Sequence, residues 1–322
     1  MKFKTVIPIN KQVFNQIDYR AKVFLLGSCF SENIGKKLAY FKFQTSQNPF
    51  GILFHPKAIE KFIINAVNEK EYVEKELVFH NERFHCFDAH SLLSSSKKEV
   101  LLERLNTGIK ETNKQLKSSS HILVTLGTSW VYRLLETDEI VANCHKIPQN
   151  KFSKEILSID EIGESLELIT AAIKKINTKA IVIFTVSPVR HLKDGFVENQ
   201  RSKSHLITAI HQLLDTDSKS HFYFPSYEIM MDELRDYRFF AEDMIHLNNT
   251  AINYMWERFV STWVSEESAT TMKEIETIQK GISHKPFDVN SQKHQLFLYL
   301  LSAKIEKIQQ QFSFIKFHKE KN

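Results

Sequence analysis

Three short apolar runs interrupt an otherwise mixed pattern of polar and hydrophobic positions. They are KVFLLG ending at Gly27, HILVTLG ending at Gly127 and AIVIFTV ending at Val186; a fourth candidate, HFYF (221–224), stops at Pro225. Their length and their branched or aromatic side chains are typical of strands that are buried on both faces. The pattern therefore predicts a central, mostly parallel sheet.

Amphipathic stretches lie between these runs. Residues 98–117 and 160–176 each place apolar side chains on one helical face, namely Val100, Leu101, Leu105 and Ile109 in the first and Ile162, Leu166, Ile169 and Ile173 in the second. Alternation of strand and helix predicts an α/β layered fold. Two hairpins are also predicted, one within residues 70–88 around His80-Asn81-Glu82 and one near residues 131–142.

The chain changes character beyond Val264. A helical stretch from Ser268 ends at a break marked by Gly281 and Pro286, and a long helix with an apolar period follows, including Leu296, Leu300, Ile305 and Ile308. We predict an α/β domain over residues 1–265 and a helical C-terminal extension over residues 266–322. The extension is expected to pack on the domain or on a second copy as a homo-oligomer.

Composition narrows the class of protein. The 322 residues are 42% hydrophobic and 25% charged, and 43 Lys and Arg against 38 Asp and Glu give a formal charge of +5, which does not indicate a nucleic-acid partner. No run approaches the roughly 20 apolar residues of a membrane span, and the N-terminus lacks the apolar stretch of a secretory signal. Three widely spaced cysteines do not form a disulfide framework, so we expect a soluble cytoplasmic protein.

The candidate chemistry follows the strands, because open α/β sheets bind ligands beyond the carboxyl ends of their strands. After the first strand, Ser28 and Cys29 are two potential nucleophiles at the start of a helix, where free backbone N–H groups favour a developing anion. In the alternative interpretation, Ser28 and Ser31 only cap the helix and Cys29 packs in the core.

A second candidate is the segment Asp243-Met244-Ile245-His246. If it is helical, the spacing of three puts carboxylate and imidazole on the same side of one turn. Asp243 would then fix the tautomer of His246 and stabilise its charged form, as a general base requires. The alternative is a surface pair without a catalytic role.

Several separated motifs occur in an order that resembles the GSCFA-domain family of bacterial proteins. They are LLGSCFSENIG, NPFGILFHP (48–56), VTLGTSWVY (124–132), NCHK (143–146), TVSPVRHLKDGFVEN (185–199) and EDMIHLN (242–248), within roughly residues 20–265. That family is similar to the SGNH hydrolases, which cleave acyl esters with a nucleophile after the first strand and a late Asp-x-x-His. The resemblance implies a three-layer α/β sandwich, with His246 as general base and Asp243 as its orienting acid.

The resemblance also implies an oxyanion hole. Gly51 resembles the glycine whose backbone N–H donates to the oxyanion in the second sequence block of SGNH enzymes. The third block, usually Gly-x-Asn, reads Gly127-Thr128-Ser129 and lacks the asparagine. Asn48, Ser129 or Asn143 are the candidates to replace it.

The nucleophile remains open between two neighbours. When Gly27-Ser28-Cys29-Phe30-Ser31 is aligned without gaps to the first sequence block of SGNH enzymes, Cys29 takes the position of the nucleophilic serine. Ser28 then takes the position of the aspartate that precedes it. Adjacent residues leaving a strand point in opposite directions, so only one of the two is expected to face His246. A Cys–His pair is sound chemistry, since a thiolate is the stronger nucleophile.

The loop after the third strand adds Ser187, Arg190 and His191 as candidate pocket residues. Arg190 is suited to bidentate binding of a carboxylate or phosphate. The alternative is an ion pair of Arg190 with Asp194 or Glu198 that only holds the loop.

The residues thus predict a hydrolase or acyl transferase acting on an acyl ester, possibly an O-acylated sugar, through a covalent acyl-enzyme. No metal-binding spacing and no glycine-rich phosphate loop is present, so we expect no metal and no cofactor. The competing prediction is a catalytically impaired binding protein for a glycan or acyl ligand. A scaffold that acts through the helical tail (287–322) is the third possibility.

Overall fold

The structure is a computed structural model that describes residues 5–217 and 219–317. Ten strands form in these residues: β1 (Lys22–Gly27), β2 (Gln44–Gln47), β3 (Leu77–His80), β4 (Arg83–Cys86), β5 (His121–Leu126), β6 (Trp130–Leu134), β7 (Glu139–Val141), β8 (Phe152–Ile156), β9 (Ile181–Val186) and β10 (His221–Tyr223).

Nine α-helices lie in the same described part of the chain: α1 (Cys29–Tyr40), α2 (Pro56–Val67), α3 (Lys98–Ser118), α4 (Ile159–Ile176), α5 (Phe196–Thr216), α6 (Ser226–Glu228), α7 (Asn249–Trp263), α8 (Glu266–Ile282) and α9 (Gln292–Gln311). The short α6 continues as a π-helical turn, Ile229–Glu233. None of the described helices has the length and apolar content needed to cross a lipid bilayer.

The predicted parallel sheet is confirmed. Five strands pair in the order β10-β9-β5-β1-β2, and every pair is parallel. When only the five strands of this sheet are renumbered 1 to 5 along the chain, their spatial order is 2-1-3-4-5, which is a doubly wound order. Its switch point lies between β1 and β5, where the connections leave toward opposite faces and the loops diverge to form a crevice.

Two hydrophobic cores cover the two faces of the sheet. Phe24 and Leu26 of β1 point into a core with α2, α3, α4 and α5. Val23 and Leu25 point into a second core with α1, α7, α8 and α9. Because successive side chains of a strand alternate between faces, this distribution is that of a three-layer α/β sandwich.

Both predicted hairpins form. β3 and β4 pair antiparallel around Asn81 and Glu82, which both adopt positive φ, as a tight hairpin turn requires. β6 pairs with β7, and β8 adds a third strand to this small sheet on the other edge of β6.

The C-terminal helices pack on the α/β domain. α8 begins at Glu266, after the N-cap Ser265 and two residues before the predicted start at Ser268. The predicted apolar face of α9 is wrong in part, because Leu296 and Leu300 are exposed whereas Leu301 and Ile308 are buried. The contact with α8 explains the rotation: a side chain at Gly281 would lie within 2.8 Å of Leu301 Cδ1, so the missing Cβ admits Leu301 instead of its neighbours.

Gly27 ends β1 with φ +117°, and a Cβ there would lie 2.0 Å from the carbonyl oxygen of Thr125. We expect Gly27→Ala to lower the free energy of unfolding by roughly 3 kcal/mol, since both the backbone conformation and the close approach exclude a side chain. Urea denaturation followed by circular dichroism measures this change.

Gly163→Ala is the matched control for Gly27→Ala. Gly163 lies inside α4, and a Cβ there meets nothing within 4 Å. Alanine is expected to stabilise this helix by about 0.5–1 kcal/mol. Equal stability of the Gly27→Ala protein and the wild type would contradict the close packing of β1 on β5.

Candidate active site

The loops after β1, β2, β5 and β9 are linked to one another at one edge of the sheet. The Leu53 N–H donates to Gly27 O (3.2 Å), and the Gly127 N–H donates to Phe54 O (2.7 Å). The imidazole of His191 lies against the Phe54 ring, with 5.4 Å between centroids. The Arg190 N–H donates to Ile245 O (3.2 Å). A chain of contacts through Phe54, His191 and Arg190 therefore links the turn at Gly27 to the loop that carries His246.

Asp243 and His246 form a hydrogen-bonded pair. The Asp243 Oδ2 lies 2.7 Å from His246 Nδ1, and its Oδ1 accepts the backbone N–H groups of Ile245 and His246 at 2.9 Å each. The hydrogen bond from His246, and then those from the two backbone groups, lower the pKa of Asp243 to about 2. Because an ionised carboxylate only accepts hydrogen bonds, Nδ1 of His246 is the nitrogen that donates to it, and in the neutral imidazole Nε2 therefore keeps the lone pair.

The pair lies in a turn and not in a helix, so the helical geometry assumed from the spacing is wrong. Met244 adopts φ +56°, and the Ala241 N–H donates to His246 O (2.8 Å) to close the loop. Phe240 and Leu247, both buried, bridge the base of this loop. The backbone N–H bonds to Asp243, rather than a helical face, bring the two side chains together. Each is about half exposed, at 46% and 49%.

Asn248 fixes where the loop ends. Its Oδ1 caps α7 by accepting the Ala251 N–H (3.0 Å), and its Nδ2 donates to Arg238 O (2.6 Å). Beyond it, α7 buries Met255, Phe259 and Trp263 in the second core. The cap and this apolar face anchor His246 at the carboxyl edge of the sheet.

Ser28 and Cys29 differ in accessibility. Ser28 is 1% exposed, and its Oγ caps α1 by accepting the Phe30 N–H (3.3 Å). Cys29, the first residue of α1, is partly exposed. The capping alternative is therefore correct for Ser28. It is wrong for Ser31, whose hydroxyl donates to Leu26 O and to Thr125 Oγ1 (both 2.7 Å) and does not cap the helix. It is also wrong for Cys29, which is partly exposed and not packed in the core.

The surroundings of Cys29 favour the neutral thiol. Burial raises its pKa, its own backbone N–H lowers it, Glu32 raises it and Lys36 lowers it. Among the described residues, no hydrogen bond joins His246 to Cys29 or Ser28. A thiolate at Cys29 therefore requires a base that takes its proton when the substrate is bound.

The assignment of Gly51 as an oxyanion donor is contradicted. Its N–H already donates to Asn48 O (2.8 Å) in a tight turn. Asn48 takes its place as the free donor: its Oδ1 accepts the Gly27 N–H (2.9 Å), while its Nδ2 is buried and without a partner. A buried unpaired donor is costly unless a ligand or water satisfies it.

In the loop after β5, which corresponds to the third sequence block, the candidate oxyanion donors Gly127 and Ser129 already have hydrogen-bond acceptors within the protein. The Gly127 N–H is bonded to Phe54 O, and the buried Ser129 hydroxyl donates to Ser202 O and Oγ (3.2 and 3.0 Å). The proposed role of Ser129 as an oxyanion donor is therefore wrong. Asn143 lies in the loop after β7, where its Oδ1 accepts from the His145 N–H and the Ser91 hydroxyl (2.9 and 3.3 Å), which is a turn-forming role.

The loop after β9 contains one buried side-chain atom that has no hydrogen-bond partner in the described residues. Ser187 is fully buried, and its Oγ accepts the Val189 N–H (3.3 Å), so it shapes the loop and does not line an open pocket. His191 Nε2 is buried without a partner and lies 3.2 Å from the position of a Cβ on Gly127. Burial, and then the charges of Lys203 and His246, lower the pKa of His191 to about 3, which keeps the imidazole neutral.

Arg190 does not form the ion pair considered as its alternative role. Asp194 pairs with Lys154, and Glu198 lies 3.9 Å from Arg201. The Arg190 guanidinium instead lies over the Phe240 ring, 3.9 Å from its centroid, and Nη1 donates to Met244 O (3.3 Å). Arg190 thereby contacts the loop of His246 directly.

Sequence reasoning missed Lys203. Its Nζ is fully buried and donates to Gly127 O (2.6 Å) and Ser187 O (2.7 Å), which ties the ends of β5 and β9 together. Burial lowers its pKa to about 7. A signal was present, because Lys203 lies on the helical face of α5 that also carries Leu206 and Ile210.

Several histidines near the cysteines of the chain have structural partners. His85 and His145 stack with centroids 4.6 Å apart, and His145 Nε2 lies 2.7 Å from Cys86 O. His55 caps α2 through Nδ1. Within the described residues, no group of three or more His, Cys, Asp or Glu side chains is arranged to hold a metal ion.

Comparison with known proteins gives a family match over most of the chain. The model of the GSCFA family matches residues 22–259, and the model of the GSCFA domain protein, C-terminal domain, matches residues 275–322. A search of curated proteins finds no match.

The raised pKa of Cys29 predicts how the thiol reacts with iodoacetamide. The alkylation rate should rise with pH to a half-maximum above the ordinary range of a cysteine thiol, because burial and Glu32 disfavour the thiolate. Glu32→Gln should move the half-maximum to lower pH, since a repelling charge is removed. Mass spectrometry of the peptide containing Cys29 measures the rate, with Cys29→Ser as the blank. A rate plateau below pH 7 would indicate a preformed thiolate–imidazolium pair and contradict this prediction.

Proposed function

We propose that this chain, which belongs to the GSCFA family, hydrolyses or transfers the acyl group of an ester through a covalent intermediate on Cys29. The single observation that carries the proposal is the Asp243–His246 pair, with Nδ1 bonded to the carboxylate at 2.7 Å and Nε2 free, on the same sheet edge as the Cys29 turn. This is the pairing of base and orienting acid on which nucleophilic acyl transfer depends.

The proposed steps balance with the residues of this chain. His246 Nε2 takes the thiol proton of Cys29, and the sulfur attacks the carbonyl carbon of the ester. The tetrahedral intermediate collapses, the C–O bond breaks and the alcohol leaves with the proton from His246. Water, deprotonated by His246, then cleaves the thioester, which releases the acid and restores the thiol; an acceptor alcohol in place of water gives transfer.

Three donors are proposed for the oxyanion. The N–H of Cys29, at the start of α1, lies at the positive end of the helix. Asn48 Nδ2 and His191 Nε2 are two buried side-chain donors at this edge for which the described residues provide no partner. The neighbouring Gln47 Oε1 is also buried and unpaired, but it is an acceptor. A neutral imidazole can donate through Nε2–H, so His191 is suited to replace the missing asparagine of the third block.

A binding protein without turnover is the second candidate. The third-block loop uses its donors internally, and the Cys29 thiol has a raised pKa. Both observations fit an SGNH-like fold that holds a glycan or acyl ligand and does not cleave it.

The proposal also includes a cytoplasmic location and a homo-oligomeric assembly. Free Cys29, Cys86 and Cys144 fit a reducing cytoplasm. The exposed Leu296 and Leu300 on α9 fit contact with a second copy. An O-acylated sugar is the proposed physiological ester.

Removing the proposed nucleophile or base should abolish ester cleavage. With 4-nitrophenyl acetate, Cys29→Ala and His246→Ala are each expected to lower kcat by about 10³-fold or more, whereas Ser28→Ala keeps turnover because its hydroxyl only caps α1. Asp243→Asn should lower kcat by about 10²-fold, because an amide does not hold the Nδ1 proton in place. Stopped-flow release of nitrophenolate measures these rates.

Cys144→Ala is the matched control, since Cys144 is the other partly exposed cysteine. If wild-type protein binds the ester or its acid product but gives no acyl-Cys29 adduct by mass spectrometry, the binding-protein candidate replaces the enzyme. Full activity of Cys29→Ala would exclude the thiol as nucleophile.

Asn48→Asp tests the proposed oxyanion donor. The carboxylate can still accept the Gly27 N–H but no longer donates and repels the oxyanion, so kcat should fall by about 10²-fold or more while KM changes little. Asn143→Asp is the control, because its side-chain oxygen also accepts within a turn. Unchanged kcat in Asn48→Asp, with an unchanged Tm, would remove Asn48 from the oxyanion hole.

A further inference from the structure

Arg190 is a cation without an anionic partner in the described residues. The two acidic side chains of its own segment are occupied, Asp194 by Lys154 and Glu198 by Arg201. The guanidinium carbon lies 3.9 Å from the centroid of the Phe240 ring and 5.2 Å from that of the Tyr237 ring. Only Nη1 has a hydrogen-bond acceptor, Met244 O, so further N–H groups are available for a ligand.

A pocket of about 180 Å³ lies beside this guanidinium. Its apolar lining includes Met230 and Leu234, from the π-helical turn and the residue after it, and Arg190 and Arg235 supply two positive charges. π-helical turns are frequent at functional sites because they re-aim side chains toward a ligand.

The charges of the pocket are not balanced by its own carboxylate. Asp236 also lines it, but Asp236 Oδ2 is bonded to Arg238 Nη2 at 2.9 Å and Oδ1 to the Arg238 N–H at 2.8 Å. Arg235 has no ion pair within the described residues. An anionic group of a ligand is therefore the complementary charge.

The pocket shares two residues with the support of His246. Phe240, in its wall, bridges to Leu247, and Arg190 holds the loop through its N–H bond to Ile245 O. The pocket therefore adjoins the base of the loop that carries His246.

We infer that Arg190 and Arg235 bind a carboxylate or phosphate group of the substrate, so that the ester cleaved at Cys29 and His246 is an anionic one with a short apolar portion. Only the identification of the ligand as an ester rests on the proposed function. Binding of the anion itself depends on the pocket alone.

The test compares two esters and two arginine variants. We expect Arg190→Met and Arg235→Met each to lower the ratio of kcat/KM for 4-nitrophenyl hemisuccinate to that for 4-nitrophenyl acetate by about tenfold. Arg235 is exposed, so its variant should fold even if loss of the Arg190 stacking disturbs the loop. Lys193→Met, which removes one exposed charge near Arg190 and does not line the pocket, should leave the ratio unchanged.

Calorimetric titration with succinate and with inorganic phosphate keeps the two proposals separate. Wild-type protein should bind at least one of these anions, and Arg235→Met should bind it about tenfold more weakly. If neither ester is cleaved but the anion binds through Arg235, the esterase proposal fails and the anion site stands. If acetate ester is cleaved while the ratio and anion binding are the same in wild type and both arginine variants, the anion site is refuted and the esterase stands.

Discussion

The close approach of β1 to β5 at Gly27 is the constraint on which the strand-end edge depends. Because Gly27 has no side chain, its backbone lies against Thr125 O, and its N–H and C=O are free to bond to the next loop. Asn48 Oδ1 takes the N–H and the Leu53 N–H takes the C=O. Phe54, one residue on, accepts from Gly127 and Thr128. One glycine at the switch point thus fixes three loops relative to one another.

The loops at this edge are held mostly by polar groups that are satisfied inside the protein, with two exceptions among the buried side-chain donors of the described residues. Lys203 alone satisfies two strand-end carbonyls, and Ser202 satisfies Ser129 and Thr128. Asn48 Nδ2 and His191 Nε2 remain unpaired. Buried polar atoms without a hydrogen-bond partner also occur elsewhere in the described residues, for example His221 Nε2 and Trp263 Nε1, so the missing partner alone does not indicate a site. Position beside Gly27 and Gly127 at the switch point distinguishes the two exceptions.

The central sheet and the main helices were predictable because periodicity and strand length are local properties of the sequence. The orientation of α9 was not, since it depends on the one contact between Gly281 and Leu301. The Asp243–His246 pair was found from spacing although its turn geometry was not, because the side chains are joined by backbone N–H bonds that spacing does not reveal. The role of Arg190 was not predictable, because Lys154 and Arg201 are the cations that pair with Asp194 and Glu198. The pairing of Asp194 with Lys154 is a tertiary contact that the local sequence does not reveal.

The exposure of Asp243 and His246 has a consequence for the order of events in the proposed reaction. Asp243 and His246 are each about half exposed, so water weakens their interaction in the free protein. The Cys29 thiol is neutral for the opposite reason, because burial disfavours its thiolate. A substrate whose anionic end lies between Arg190 and Arg235 would exclude water from His246 while its carbonyl lies near the thiol. Substrate binding, and not a preformed ion pair, would then supply the electrostatic conditions under which the proton moves from sulfur to imidazole.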